Sequence, residues 1–144
     1  METFTSSPAT KLSLLLSFHE RLSESDFSLF GIGDGDERAL LEHFGAVTRS
    51  LATLPLAIRA IIKDVCAQMG AGMSDFLTRD MRDGTPDEYT YDKYCHVAAG
   101  LVGEGLSALW LASGDETMSN ALAPAPSAEV GKFLQKVCHT RHKK

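Results

Sequence analysis

Two stretches of this sequence bring cysteine and histidine side chains together, the combination found in thiol nucleophiles and in zinc sites. Cys95 and His96 are adjacent. On a helix, adjacent side chains diverge by about 100°, so this pair cannot act as nucleophile and base. Cys138, His139 and His142 offer zinc ligands, but no second pair of ligands precedes them. A solvated basic tail is therefore favoured over a zinc site.

Carboxylates and glycines serve metal and phosphate sites in many proteins, but neither occurs here in a setting that favours such a site. Asp80 and Asp83 lie in the polar stretch RDMRDGTPDEYT, which is typical of a loop, so solvated charges are favoured. The stretch GIGDGDE follows no strand-like segment, which favours a turn over a phosphate cradle. Asp36 in this turn is predicted to be the N-cap of the next helix.

The most unusual stretch is YDKYCHVAAGLVGEGLSALW, residues 91–110. It is almost uncharged after its first turn, yet it contains three glycines, and each glycine in a helix interior costs about 1 kcal/mol against alanine. Helical periodicity places one group on a broad face: Tyr94, Ala98, Val102, Leu106 and Leu109, flanked by Ala99 and Gly103. Two interpretations stay open and are compatible. The glycines let neighbouring helices approach closely, or this face lines a slot for a ligand.

The composition is that of one globular domain. The chain has 144 residues, of which 44% are hydrophobic and 23% charged, and its net charge of −5 argues against nucleic-acid binding. Three widely spaced cysteines are typical of a reducing compartment. The sequence has neither a signal peptide nor a run of about 18 consecutive apolar residues, so no membrane span is expected.

The elements that must position these residues are predicted to be helices. Val, Ile and Thr form no alternating run, so the predicted fold class is all-α. Between Pro55 and Arg79, apolar residues recur every three or four positions, as on an amphipathic helix. The predicted helices cover residues 10–22, 36–53, 55–79, 91–112 and 128–138. We expect the fourth to be the most buried and to pack against the third.

Five pieces of the sequence, in order, are KLSLLLSFHERL, FGIGDGDERALLEHF, MGAGMSDF, the stretch at 91–110 and GKFLQK. Together they resemble the squalene/phytoene synthase family of head-to-head prenyl transferases over nearly the whole chain. His96 after Cys95 is more typical of the squalene branch, from which Val97 departs. The resemblance implies one partial domain over residues 1–144, the central part of an isoprenoid-synthase-type helical bundle, with a divergent basic tail at 137–144.

The activity implied by the resemblance is that of a farnesyl-diphosphate farnesyltransferase. Two farnesyl diphosphates condense to presqualene diphosphate, which is then reduced with NADPH to squalene, in sterol and isoprenoid biosynthesis. The implied cofactors are Mg²⁺ and NADPH, and the implied location is the endoplasmic reticulum membrane, where a C-terminal anchor holds the family's enzymes. For this chain, which has no counterpart of that anchor, we expect a soluble, cytoplasmic protein.

The family's site residues carry over where this sequence matches the family's motifs. The resemblance implies that Tyr94 is catalytic and points into a slot that holds the prenyl cation. It implies a substrate-binding wall and its neighbours at these positions: Ala98, Ala99, Val102, Gly103, Leu106, Met69, Met73 and Gln135.

Both aspartate-rich, magnesium-binding motifs of the family are altered in this sequence. Glu2 and Thr3 stand where the first motif has paired aspartates, although its threonine remains as Thr5. In the second motif, Cys138 replaces an asparagine and His142 replaces a metal-binding aspartate. We therefore expect no metal ligands and no catalysis by this isolated chain. The alternative is a non-catalytic helical fragment that keeps only a prenyl-binding or partner-binding surface and self-associates through exposed apolar residues.

Overall fold

The computed structural model describes residues 8–79, 84–114 and 124–141, and every regular element in these ranges is a helix. The helices are α1 (Pro8–Arg21), α2 (Gly35–Glu42), α3 (Gly45–Ala52), α4 (Leu56–Leu77), α5 (Glu88–Cys95), α6 (Leu101–Ala112) and α7 (Pro124–Arg141), with a π-helical segment (His96–Gly100) between α5 and α6. The described ranges contain no strand, and the predicted all-α class is confirmed.

Helix α1 packs antiparallel to α4. A Cβ added to Gly70 would overlap the Leu15 carbonyl oxygen, so the two backbones approach closely there. Just beyond the end of α1, the Ser23 hydroxyl accepts a hydrogen bond from the side chain of Lys63 at 3.5 Å. Glycine at position 70 is therefore required by packing, since any side chain would push the two helices apart.

The predicted helix 36–53 is instead two helices, α2 and α3, with a break at His43 and Phe44. The Phe44 ring leaves the helical path and joins an aromatic cluster, with ring centroids 5.4 Å from Phe18 and 6.0 Å from Phe27. The three rings meet edge to face, an arrangement that stabilises aromatic packing beyond the burial of area. The predicted cap at Asp36 is also wrong: α2 begins at Gly35 and Asp34 precedes it, which puts Asp36 inside the first turn.

The segment from Glu88 to Ala112 is one continuous rod formed by α5, the π segment and α6. It begins three residues before the predicted start, because the Asp87 carboxylate accepts a hydrogen bond from the Thr90 backbone N–H at 2.6 Å and caps the helix. As expected, it is the most buried element of the described part of the chain, with these buried residues: Thr90, Cys95, Val97, Gly100, Leu101, Gly105 and Ser107.

Close contacts between the rod and α4 explain two glycines, Gly105 on the rod and Gly72 on α4. A Cβ added to Gly105 would lie 2.7 Å from Cγ2 of Val65, and one added to Gly72 would lie 2.6 Å from Cγ2 of Val97. Real Cβ atoms essentially never approach a neighbour so closely. The interpretation that glycine permits close helix packing is therefore correct at these positions.

Helix α7 packs antiparallel to α6 on the other side of the rod. A Cβ added to Gly103 would overlap the Ser127 carbonyl oxygen, and one added to Gly131 would overlap the Ala99 carbonyl oxygen. The helix starts at Pro124, four residues before the predicted start, since proline suits the first turn of a helix. It continues to Arg141, so part of the predicted tail at 137–144 is helical.

Among the described residues, one helix is long and apolar enough to cross a membrane by length and composition, namely Glu88–Ala112. One third of its most apolar window (33%) is buried inside the protein. Because this rod packs against both α4 and α7, it also has the composition expected of a central helix in a helical bundle.

Candidate functional site

A cleft of about 450 Å³ lies between α6 and α7. Its walls are almost entirely apolar, with two serines as the only hydroxyl-bearing residues. The lining residues are Ala98, Ala99, Val102, Gly103, Leu106, Ser107 and Trp110 from the central rod, and Ser127, Val130, Gly131 and Leu134 from α7. A pocket of this size and polarity suits a hydrocarbon ligand.

Five of the eight residues predicted to bind substrate lie on this cleft, namely Ala98, Ala99, Val102, Gly103 and Leu106. They come together because residues three and four apart share one face of a helix. Val102 is 40% exposed and Leu106 is 56% exposed, so the cleft is open to solvent along one side. Their role in binding substrate stays a prediction.

Tyr94 does not belong to the lining of the cleft. Its ring packs edge-on against the buried Phe76, with centroids 5.4 Å apart. The Tyr94 ring therefore faces α4, which carries Phe76. A π-helical segment begins two residues later, at His96, so a regular helical projection does not hold across it.

The remaining three predicted substrate-binding residues also lie outside the lining. Met69 and Met73 are half-buried on α4, and Gln135 is half-buried on α7, directly after the lining residue Leu134. The structure thus places five of the predicted positions on the cleft, whereas these three and Tyr94 lie outside its lining.

Sequence reasoning missed the side of the cleft that α7 provides, as well as Trp110. A signal was present: Val130 and Leu134 are four residues apart with Gly131 between them, the pattern of an apolar helix face with a close-approach position. Trp110 follows Leu106 by four residues and continues the same face of α6. Which helix would face α6 depends on tertiary packing, and periodicity within one helix does not encode it.

The two serines of the lining form a hydrogen bond that joins α6 to α7. The hydroxyl oxygens of Ser107 and Ser127 lie 2.5 Å apart, and the Ser107 hydroxyl is also 3.2 Å from the Gly103 carbonyl oxygen. Both serines are buried. Since each hydroxyl is already partnered within the protein, the two serines present no unpaired polar group to an occupant, and the cleft behaves as an apolar surface.

A charged network lies next to one end of the cleft and joins α5 to α7. The Asp92 carboxylate accepts hydrogen bonds from Lys136 at 2.6 Å and from Lys132 at 2.9 Å, and Lys132 also pairs with Glu129 at 2.7 Å. The bonds from Lys136 and Lys132 lower the pKa of Asp92. The bonds to Glu129 and Asp92 raise the pKa of Lys132 to about 12. Asp92 and Lys132 are therefore both charged at neutral pH, and each is paired within the network.

The described residues do not fit a magnesium site. No group of three or more His, Cys, Asp or Glu side chains in this part of the chain is placed to hold a metal ion. Asp80, Asp83 and His142 lie outside the described residues. Cys95 is fully buried, and burial raises the pKa of its thiol, so the group is neutral and unsuited to act as a nucleophile.

Comparisons with known proteins identify the same family that the five sequence pieces resemble. The family model for squalene/phytoene synthase matches residues 3–143. Squalene synthase from Dictyostelium discoideum is 41% identical over 128 residues, which cover 88% of this chain and 30% of that protein. Squalene synthase BSS from Botryococcus braunii is 38% identical over 127 residues, which cover 88% of this chain and 27% of that protein.

Solved structures show the same relationship. A complex of TcSQS with the ligand BPH1237 has a TM-score of 0.80 and 38% identity to this chain, and the match covers 92% of this chain and 38% of that one. A complex of TcSQS with E5700 has a TM-score of 0.81 and 37% identity. This chain thus spans about 30% of the length of the curated relatives it matches. The expected resemblance and helical-bundle fold are confirmed, and the chain belongs to the squalene/phytoene synthase family.

Proposed function

We propose that the cleft between α6 and α7 binds the hydrocarbon chain of a prenyl diphosphate, as part of a squalene-synthase-type prenyl transferase. The proposed reaction condenses two molecules of farnesyl diphosphate to presqualene diphosphate and reduces this product with NADPH to squalene. The observation that carries the proposal is the apolar cleft, on which five residues matched to the family's substrate wall lie together. By the same family argument, the enzyme acts at the endoplasmic reticulum membrane.

The physical basis of binding is burial of hydrocarbon. Each Å² of apolar surface removed from water stabilises a complex by about 25 cal/mol, and no metal is needed for that contribution. The lining contains no charged side chain, so an occupant loses no favourable interaction with a charged wall. An apolar wall also keeps water from a reactive allylic cation, which water would otherwise capture.

In this proposal the chain's residues take three roles. Val102, Leu106 and the other lining residues hold the prenyl chain and exclude water. Tyr94 stays the proposed catalytic group, through its ring and hydroxyl, although its observed position is against Phe76. Met69, Met73 and Gln135 are proposed to contact substrate from outside the described cleft.

We propose further that these 144 residues by themselves bind prenyl chains without condensing them. Mg²⁺ stabilises a departing diphosphate when it is bound, but Glu2, Thr3 and His142 stand at positions matched to the family's metal-binding aspartates. A second candidate is a non-catalytic protein that uses the same face for self-association. It is favoured by the exposure of Val130 (59%), which lines the cleft, and of Phe133 (64%), which also lies on α7.

Replacing Leu106 by aspartate should weaken binding of farnesyl monophosphate by about tenfold or more, because the change removes apolar contact and puts a charge on the wall. The matched control is Leu56→Asp, since Leu56 is also exposed (74%) but lies outside the cleft. The control should bind within about twofold of the unmodified chain, as surface substitutions usually have small effects. Isothermal calorimetry in metal-free buffer measures both.

Equal loss of binding in both variants would show that farnesyl monophosphate adheres to exposed apolar surface in general, which contradicts the proposed site. Sedimentation of the same samples tests the second candidate function. If this face serves self-association, the unmodified chain should form oligomers that Leu106→Asp dissociates and that farnesyl monophosphate does not affect.

A further inference from the structure

The two ends of the cleft differ in chemistry. Helices α6 and α7 run antiparallel, so Ala99 lies opposite Gly131 at one end, while Ser107 lies opposite Ser127 towards the other. Beyond Ala99 and Gly131 lies the network that joins Asp92 on α5 to Lys132 and Lys136 on α7. Beyond the two serines, the lining ends at Trp110. One end is therefore next to charged groups, and the other end has a half-exposed aromatic ring as its last lining residue.

This asymmetry favours one orientation of an amphipathic ligand. A phosphate head is best placed at the end near the charged network and solvent, because burying it among apolar side chains would be costly. The hydrocarbon tail then follows α6 from Ala98 towards Trp110. These positions are twelve residues apart, which at the rise of an α-helix corresponds to a path of about 18 Å.

Building on the proposed prenyl-binding function, we infer that Trp110 determines the length of prenyl chain that the cleft accepts. Trp110 is the largest side chain on the lining and its only aromatic ring, and it stands at the end where the tail arrives. A chain that reaches the indole contacts apolar wall along its whole length. A chain with a further isoprene unit must leave that unit in water or displace the ring, and it gains no apolar burial from the extra carbons.

The unmodified chain allows a direct optical test, because Trp110 is its single tryptophan. Geranyl, farnesyl and geranylgeranyl monophosphates are titrated in metal-free buffer, with binding followed by calorimetry and emission followed in parallel. Farnesyl monophosphate should shift the tryptophan emission to shorter wavelength as the ring loses water. Geranyl monophosphate, one isoprene unit shorter, should bind more weakly and leave the emission unchanged. An equal shift from both ligands would overturn the inference.

The variant Trp110→Ala should change the chain-length preference. The ratio of geranylgeranyl to farnesyl affinity should rise by about tenfold or more relative to the unmodified chain, since the additional isoprene unit becomes buried. Trp110→Phe should give an intermediate ratio. The matched control is Leu111→Ala, because Leu111 is exposed to a similar degree (46%, against 49% for Trp110) but does not line the cleft. Its ratio should stay unchanged, and circular dichroism checks that all variants keep their helix content.

The outcomes separate this inference from the proposed function. Farnesyl binding to the unmodified chain, combined with an unchanged length preference in Trp110→Ala, overturns the role of Trp110 and leaves prenyl binding in place. A ratio that rises equally in Leu111→Ala also overturns it, because loss of any exposed side chain would then suffice. If no prenyl monophosphate binds the unmodified chain, both proposals are wrong.

Discussion

Gly103→Ala is expected to lower the free energy of unfolding by about 2 to 3 kcal/mol, the upper part of the range for overpacking a tight interface. In an exposed helix interior the same change stabilises by about 1 kcal/mol, so the expected sign is reversed. The added Cβ would overlap the Ser127 carbonyl oxygen, a backbone atom that cannot rotate away. Gly131→Ala should have a similar effect, since its Cβ would overlap the Ala99 carbonyl oxygen. Urea unfolding followed by circular dichroism measures both.

A matched variant on the opposite side of the rod provides the control. The Cβ of Gly105→Ala would meet a side-chain atom, Cγ2 of Val65, at 2.7 Å. Adding Val65→Ala removes that atom, so the double variant should be more stable than the sum of the two single changes predicts. No single side-chain truncation should rescue Gly103→Ala. If Gly103→Ala proves neutral or stabilising, α6 and α7 are not in the close contact described here.

We expect that the purified chain, incubated with farnesyl diphosphate, Mg²⁺ and NADPH, forms neither presqualene diphosphate nor squalene above a protein-free control. Loss of one preorganised group that stabilises developing charge commonly lowers the rate by about 10²–10³. Here the residues matched to both magnesium-binding motifs are changed, so the combined effect should bring product below detection by mass spectrometry. A squalene synthase assayed in parallel serves as the positive control.

The opposite result has a clear interpretation. Product above the protein-free control that disappears in Tyr94→Ala would mean that this chain is catalytic and holds its metal ions through residues other than the matched positions. Product that persists in Tyr94→Ala would point to a contaminating enzyme. Either prenyl binding without product or no binding at all is compatible with the expected inactivity, and the binding experiments distinguish these two cases.

The helices were largely predictable because their apolar residues follow the helical period. On α4, for example, Ile58, Ile61, Ile62 and Val65 recur at the spacing of one helix face. The break at Phe44 was not predictable in the same way, because the local sequence continues a helical pattern. The Phe44 ring contacts Phe18 and Phe27, which come from other positions in the chain, and a local pattern does not reveal such contacts. Local propensity sets the helices and tertiary packing sets their interruptions.

The candidate site was predictable on one wall only. Residues on α6 such as Val102 and Leu106 share a face by periodicity within a single helix, and this information is local. The apposition of α7 depends on contacts of Gly103 and Gly131 with backbone atoms of the other helix, which no single-helix pattern reveals. The contact of Tyr94 with Phe76 on α4 likewise depends on packing between two helices, which the pattern of a single helix does not reveal.

The central claim is that the cleft between α6 and α7 is the prenyl-binding site of this chain, and photoaffinity labelling tests it most directly. A farnesyl monophosphate with a diazirine near the end of its tail is irradiated with the protein, and labelled residues are identified by peptide mass spectrometry. We expect labels on lining residues towards the Trp110 end, such as Leu106 and Trp110 itself, that unlabelled farnesyl monophosphate removes by competition. Labels spread over exposed apolar residues away from the cleft, such as Leu56 and Phe30, or labels that resist competition, would contradict it.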